Sequence, residues 1–132
     1  MPKLGFVEAF AKHGAKLANP QWSVSAQASD GSLVVSLWEH HFHAPQDRRT
    51  KCSGRFDRWS GPGNSEFRRN VAHAFAIKQD VRVVISHTDK PAEVEAGADA
   101  SNLKNTFSIP DRWIGKVTNI AGEAYEFEFW RE

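Results

Sequence analysis

The spacing of hydrophobic residues changes several times along the 132-residue chain, and each change predicts an element. Leu4, Val7, Phe10 and Ala11 recur at helical spacing, and Gly14 follows as a left-handed stop, which predicts a helix over about 3–13. Asn19-Pro20 breaks that path. From Trp22 the period is two: Trp22, Val24, Ala26 and Ala28 alternate with Ser23, Ser25 and Gln27. After Asp30-Gly31 a second run begins at Leu33 and continues to Phe42. Two such runs around a short Ser-Asp-Gly-Ser turn predict a hairpin. Leu33, Val35 and Leu37 share one of its faces, and Val34, Ser36, Trp38, His40 and Phe42 share the other.

Periodicity is lost over 43–63, a stretch rich in Arg, Ser, Gly and Pro that reads as a long loop. Asn64 or Ser65 can then cap a helix over about 65–78, whose stripe is Phe67, Val71, Ala74 and Phe75. The β-branched run Val81–Ser86 predicts a strand, 88–105 an acidic, alanine-rich loop, and Thr106–Ile109 a short strand ended by Pro110. Trp113–Ile120 and Ala124–Trp130 flank Ala121-Gly122-Glu123 as a second hairpin. No βαβ unit repeats, so the expected class is α+β: a mostly antiparallel sheet or partly closed small β-barrel with two helices, in one domain over 1–132. Phe67, Val71 and Phe75 are expected to pack on Val83, Ile85, Phe127 and Phe129, since every element must bury its one apolar face.

Charge changes this picture through its distribution, because the totals, 17 basic and 16 acidic residues, nearly cancel. Residues 40–70 hold seven Lys/Arg against three acids, a local charge of +4, whereas 89–132 sum to −4. A basic side attracts phosphate at long range, unless the two regions pair with each other in the fold. Cys52 is the only cysteine, which excludes an internal disulfide and suits a reducing compartment. There is no signal-peptide pattern and no apolar run near the ~20 residues of a membrane span, so the expected location is cytoplasmic with no membrane partner.

Candidate chemistry lies mainly within 40–70. Arg48, Arg49, Arg55, Arg58, Arg68 and Arg69 surround Trp59 and the Gly61-Pro62-Gly63-Asn64 turn. Arginine beside an aromatic in a glycine-rich segment is a means of holding a phosphate backbone and stacking a base. Trp59 has no apolar periodicity around it and is the first candidate platform; Trp38 is the second. The amides of residues 64–67 at the helix start, next to Arg68 and Arg69, form a possible anion site or an ordinary cap. His41 and His43 at i, i+2 spacing would share a face with Glu39 in an extended chain, with Cys52 downstream. Their spacing matches no standard zinc pattern, so no metal and no cofactor are expected. No Gly-x-Ser-x-Gly elbow, dinucleotide fingerprint or Walker loop occurs.

The run Asn19-x-x-Trp22-Ser23-x-x-Ala26, followed by Leu37-Trp38, resembles uncharacterised bacterial domains that share this pattern, and Gly63-Asn64 with Arg68 or Arg69 and His73 is similar to a downstream stretch of that group. The resemblance implies a small β-barrel of the PUA, EVE and SRA kind, which read modified or flipped bases. The combined expectation is a non-catalytic nucleic-acid-binding domain for DNA or RNA, with Arg48, Arg49, Arg55, Arg58, Arg68 and Arg69 on phosphates and Trp59 or Trp38 under a base. Two alternatives stay open: a small phosphoester hydrolase that uses histidines beside the arginines, and a protein-interaction module.

Overall fold

The computed structural model describes residues 5–19, 23–46, 48–88, 91–95, 105–110 and 112–131. Trp22, Asp47 and most of the expected loop 88–105 lie outside them, as do residues 1–4 of the first expected helix. The chain is α+β. Helix α1 (Phe6–Lys12) precedes the hairpin β1 (Ser25–Gln27) and β2 (Leu33–Trp38); then come β3 (Arg49–Arg55), α2 (Pro62–Ile77), β4 (Val81–Thr88), the one-turn helix α3 (Pro91–Glu95), and β5 (Asn105–Ser108), β6 (Trp113–Ala121) and β7 (Ala124–Arg131). Two 3-10 turns, Glu39–His41 and Phe56–Arg58, follow β2 and β3.

The seven strands form one sheet in the order β1-β2-β4-β6-β7-β3, with β5 also on β4. All pairings are antiparallel except β2 with β4, which run parallel from Leu33↔Val81 to Trp38↔Ser86. The two expected hairpins form, and the second turns at Gly122, whose φ of 61° suits glycine. The sheet is not closed. Residues 42–46 continue from β2 and run beside the outer edge of β3, where His43 N–H donates to Lys51 O (2.8 Å) and Phe42 bridges Cys52. These are isolated bridges rather than a ladder.

Both faces of β2 are buried, as its alternation requires. Leu33, Val35 and Leu37 join Phe67, Val71, Ala74, Val81, Val83, Phe127 and Phe129 in the larger core beneath α2. Val34 and Val84 face the opposite way, onto Ala9, Phe10 and Leu17 under α1. The expected packing of Phe67 and Val71 on Val83, Phe127 and Phe129 is present, with Ile85 at its border. Phe75 differs: it is 40 % exposed, because the buried stripe of α2 passes through Ala74 instead. Similarly, Val7 of α1 is 49 % exposed, and Phe6 and Phe10 make the inward face, 5.0 Å apart between ring centroids.

Two more boundaries shift. Helix α2 begins at Pro62 rather than near 65, with Gly61 (φ 111°) before it and proline in its first turn. Ser65 N–H therefore already donates to Gly61 O, and Asn64 lies inside the helix with its side chain turned back. The expected loop over 43–63 contains β3. Its inward residues Thr50, Cys52 and Gly54 are small, so no hydrophobic alternation marks it; pairing with β7 from Arg49↔Trp130 to Arg55↔Ala124 makes it a strand.

Candidate functional site

One corner of the molecule gathers most of the residues selected from the sequence. It lies where β3 ends, the turn Phe56–Arg58 follows, and α2 begins. Phe56 N–H donates to Glu123 O in the β6–β7 turn (2.7 Å), which fixes the 3-10 turn to the sheet. Asn64, buried in the first turn of α2, donates through Nδ2 to Phe56 O (2.7 Å) and Trp59 O (2.9 Å). Its Oδ1 accepts from Arg68 Nε (2.7 Å). Arg68 Nη1 in turn reaches Glu123 Oε2 (2.7 Å), and its guanidinium stands 5.2 Å from the Phe56 ring centroid. The sequence pattern marks Asn64 only as a candidate helix cap. The signal for it is an amide buried within a helix, which needs partners.

The arginines at this corner are placed with unequal freedom. Arg55 is exposed and makes a two-bond fork with Asp57, through Nε to Oδ1 and Nη2 to Oδ2, both 2.9 Å. That fork holds the Asp57 carboxyl below its ordinary range. Arg58 is only 15 % exposed; its Nη1 donates to Val94 O (3.2 Å), and its Nε lies 3.7 Å from Glu95 Oε2. Arg69 is exposed on α2. Trp59 is half-buried against the core, 6.4 Å from Phe67 between ring centroids. Beside Arg55, Ser53, Gly54, Asn119, Ala124, Tyr125 and Glu126 line an open groove of about 380 Å³. Gly54 keeps its floor low: a Cβ there would fall 2.7 Å from Tyr125 Cζ.

Arg48 and Arg49 lie elsewhere. They sit at the start of β3, and its seven residues put about 20 Å between Arg49 and Arg55. Arg49 pairs with Glu128 (3.2 Å) and Arg48 has a positive φ of 67° in the turn before the strand.

Next to the arginine corner, the parallel strands β2 and β4 end in a cluster of histidines and acids. The 3-10 turn at Glu39–His41 breaks the extended chain, so His41 and His43 do not share a face as the spacing suggested. His43 Nε2 meets Ser53 Oγ (3.0 Å), Glu39 pairs with His87 Nδ1 (2.7 Å), and His41 Nε2 meets Glu95 Oε1 (2.8 Å). His40 Nε2 is 3.8 Å from Glu95 Oε2. Its ring lies 4.5 Å from that of His41 and 6.1 Å from that of Trp38, which links Trp38 to the corner through Glu95 and Arg58. Burial holds His41 below the ordinary imidazole value despite its Glu95 partner. Burial alone would raise Glu95, but the His41 hydrogen bond and the nearby charges of His41, Arg58 and His40 outweigh it and hold that carboxyl low. An ionised carboxylate only accepts, so the shared proton sits on His41 Nε2. His41 Nδ1 and Arg58 Nε are then buried without a hydrogen-bond partner among the described residues.

Cys52 does not belong to this cluster. It is fully buried in the core, and burial pushes its thiol far above the ordinary value, which removes it as nucleophile and as ligand. Among the described residues, no helix is long and apolar enough to cross a membrane. The chain matches no protein-family model, no curated protein and no solved structure.

Proposed function

We propose that this protein is a non-catalytic nucleic-acid-binding domain whose contact surface is the corner between β3 and α2. The observation that supports this is that Asn64 and Phe56 join Arg68 of α2 to the Arg55–Trp59 segment at one corner, beside the groove that Arg55 lines. Arg55, Arg68 and Arg69 hold phosphates. Arg55 can exchange its exposed partner Asp57 for a phosphate at little cost, whereas the Arg68–Glu123 pair is only partly exposed, with Glu123 Oε2 buried, so Arg68 meets phosphate through Nη2. Arg58 serves differently, as the clamp that fixes α3 through Val94. The groove of about 380 Å³ is in the size range of small-ligand sites and suits one base turned out of a strand, flipped or modified. A barrel of the PUA kind would present such a base, but the reading rests on the corner and not on that likeness.

The direct test is anisotropy of a labelled single-stranded oligonucleotide titrated with the protein at about 50 and about 200 mM salt. Binding that weakens with salt is expected. Absence of binding at the lower salt, or indifference to salt, overturns the proposal. The hydrolase reading would draw on the imidazole–carboxylate pair His41–Glu95, but with the proton on Nε2 the basic nitrogen is Nδ1, which is buried. Turnover of a phosphodiester substrate that disappears in His41→Ala would move the assignment to that reading.

A further inference from the structure

We propose that His40, His41 and Glu95 bind a divalent transition-metal ion, with Zn²⁺ best matched to the donors. The proposal goes beyond nucleic-acid binding and does not depend on it. Two imidazoles and one carboxylate are a borderline-soft set typical of zinc, and three protein donors leave a fourth position open to water or a ligand. The geometry is close to that of a site. One donor atom from each residue lies within 4.8 Å of the other two. His41 Nε2 is 2.8 Å from Glu95 Oε1, and His40 Nε2 is 3.8 Å from Glu95 Oε2. Tetrahedral zinc with bonds of about 2.0–2.1 Å separates its donors by about 3.3 Å, and the two contacts, each to a different Glu95 oxygen, fall on either side of that value, so a small rotation of the carboxylate is required.

The local structure also permits the change of proton that a metal requires. For His41 to ligate through Nε2, its proton must move to Nδ1 or leave. Glu95 holds the proton on Nε2 in the metal-free protein, and a metal ion displaces it; Nδ1 has no hydrogen-bond partner among the described residues, so no neighbour's proton occupies it. The supports come from three elements: the 3-10 turn sets His40 and His41 side by side, α3 supplies Glu95, and Arg58 fastens α3 by bonding Val94 O. Arg58 Nε, buried and 3.7 Å from Glu95 Oε2, can donate to a ligating carboxylate, an outer contact of the kind that orients metal ligands. The local sequence offered His41, His43 and Glu39 with Cys52 as the candidate set; the fold separates these and brings in Glu95 from 54 residues away.

The test uses the full chain and the metal alone. The protein is stripped with a chelator, then titrated with Zn²⁺ against a chromophoric competitor and, separately, with Co²⁺, whose visible bands report coordination. One equivalent of Zn²⁺ is expected, with a rise in Tm on binding and a four- or five-coordinate Co²⁺ spectrum. His41→Ala and Glu95→Gln should each weaken Zn²⁺ at least about tenfold. His73→Ala, which removes an exposed histidine of α2, should not change it. Glu95→Gln alters a side chain 47 % exposed and keeps its shape, so the fold survives, and circular dichroism verifies this. Failure to take up one equivalent, or equal affinity in a His41→Ala/Glu95→Gln double variant, overturns the site. No nucleic acid enters this experiment, so its outcome is separate from that of the oligonucleotide titration.

Discussion

Phe127 shows most directly how single residues hold this protein together. It is fully buried, stacks at 6.0 Å and 12° on Phe129 along β7, and meets Tyr125 edge-on at 5.6 Å. Phe127→Ala removes that ring from the centre of the main core, where the neighbouring strands cannot collapse into the space, so a loss of about 3–5 kcal/mol is expected from denaturant unfolding. A loss below about 1 kcal/mol would mean that the sheet and α2 do not meet there. The alternation of Tyr125, Phe127 and Phe129 made these residues legible from the sequence, since a strand with one wet face buries every second residue. The helical stripe of α2 extends in sequence onto Phe75, which the fold leaves exposed, for a related reason. A helical stripe read without its neighbours is about 100° uncertain in where it faces, and Ala74, small enough to admit the sheet closely, occupies the core position. The tight packing at Gly115 left no sequence signal: a Cβ there would stand 2.7 Å from Glu128 O, a backbone atom that cannot swing away.

Among the elements, the decisive junction is Phe56–Arg58 with the start of α2, and Asn64 is its fastener. Its amide bonds two carbonyls of the preceding turn and one guanidinium of its own helix. Asn64→Ala leaves Phe56 O and Trp59 O without their partner at a buried place. The expected cost is about 2–3 kcal/mol in thermal or denaturant unfolding, with weaker oligonucleotide binding because Arg68 is no longer held. Stability within about 0.5 kcal/mol of the parent would show that the junction is not held by this residue. Elements with a strong hydrophobic period, β4, β6 and β7, were legible almost to their ends, whereas β2 stops at Trp38 rather than Phe42 and α2 starts three residues early. β3 and α3 were not legible. β3 turns only the small residues Thr50, Cys52 and Gly54 inward and is a strand because β7 pairs with it, information held about 75 residues away in the chain. α3 is a single turn with one buried apolar residue, Val94, too short to show a period. The histidine cluster was hidden for the same reason: His40 and His41 were visible, but Glu95 comes from α3.

At the scale of the whole molecule, the charge asymmetry of the sequence is largely spent inside the fold. Arg49–Glu128, Lys51–Glu126, Arg58–Glu95 and Arg68–Glu123 all join the basic segment 40–70 to the acidic segment 89–132. Two of these lie diagonally across β3 and β7, where opposite charges on neighbouring strands support pairing. Among the described residues, only Arg48 and Arg69 of the seven bases in 40–70 have no carboxylate partner. Steering by a broad positive face is therefore weak, and binding depends on short-range contacts at one end. Sequence spacing treats Arg48, Arg49, Arg55 and Arg58 as one patch; β3 divides them into two ends about 20 Å apart. This separation makes the interface locatable. With two to three phosphates held by Arg55, Arg68 and Arg69, log affinity should fall with log salt at a slope of roughly −1.5 to −2.5. Arg55→Ala and Arg68→Ala should each lower the magnitude of that slope by about one. Arg48→Ala and Arg49→Ala should leave it unchanged, since the far end of β3 makes no contact. The reverse pattern would move the nucleic acid to the start of β3 and remove the corner, Trp59 included, from the binding surface.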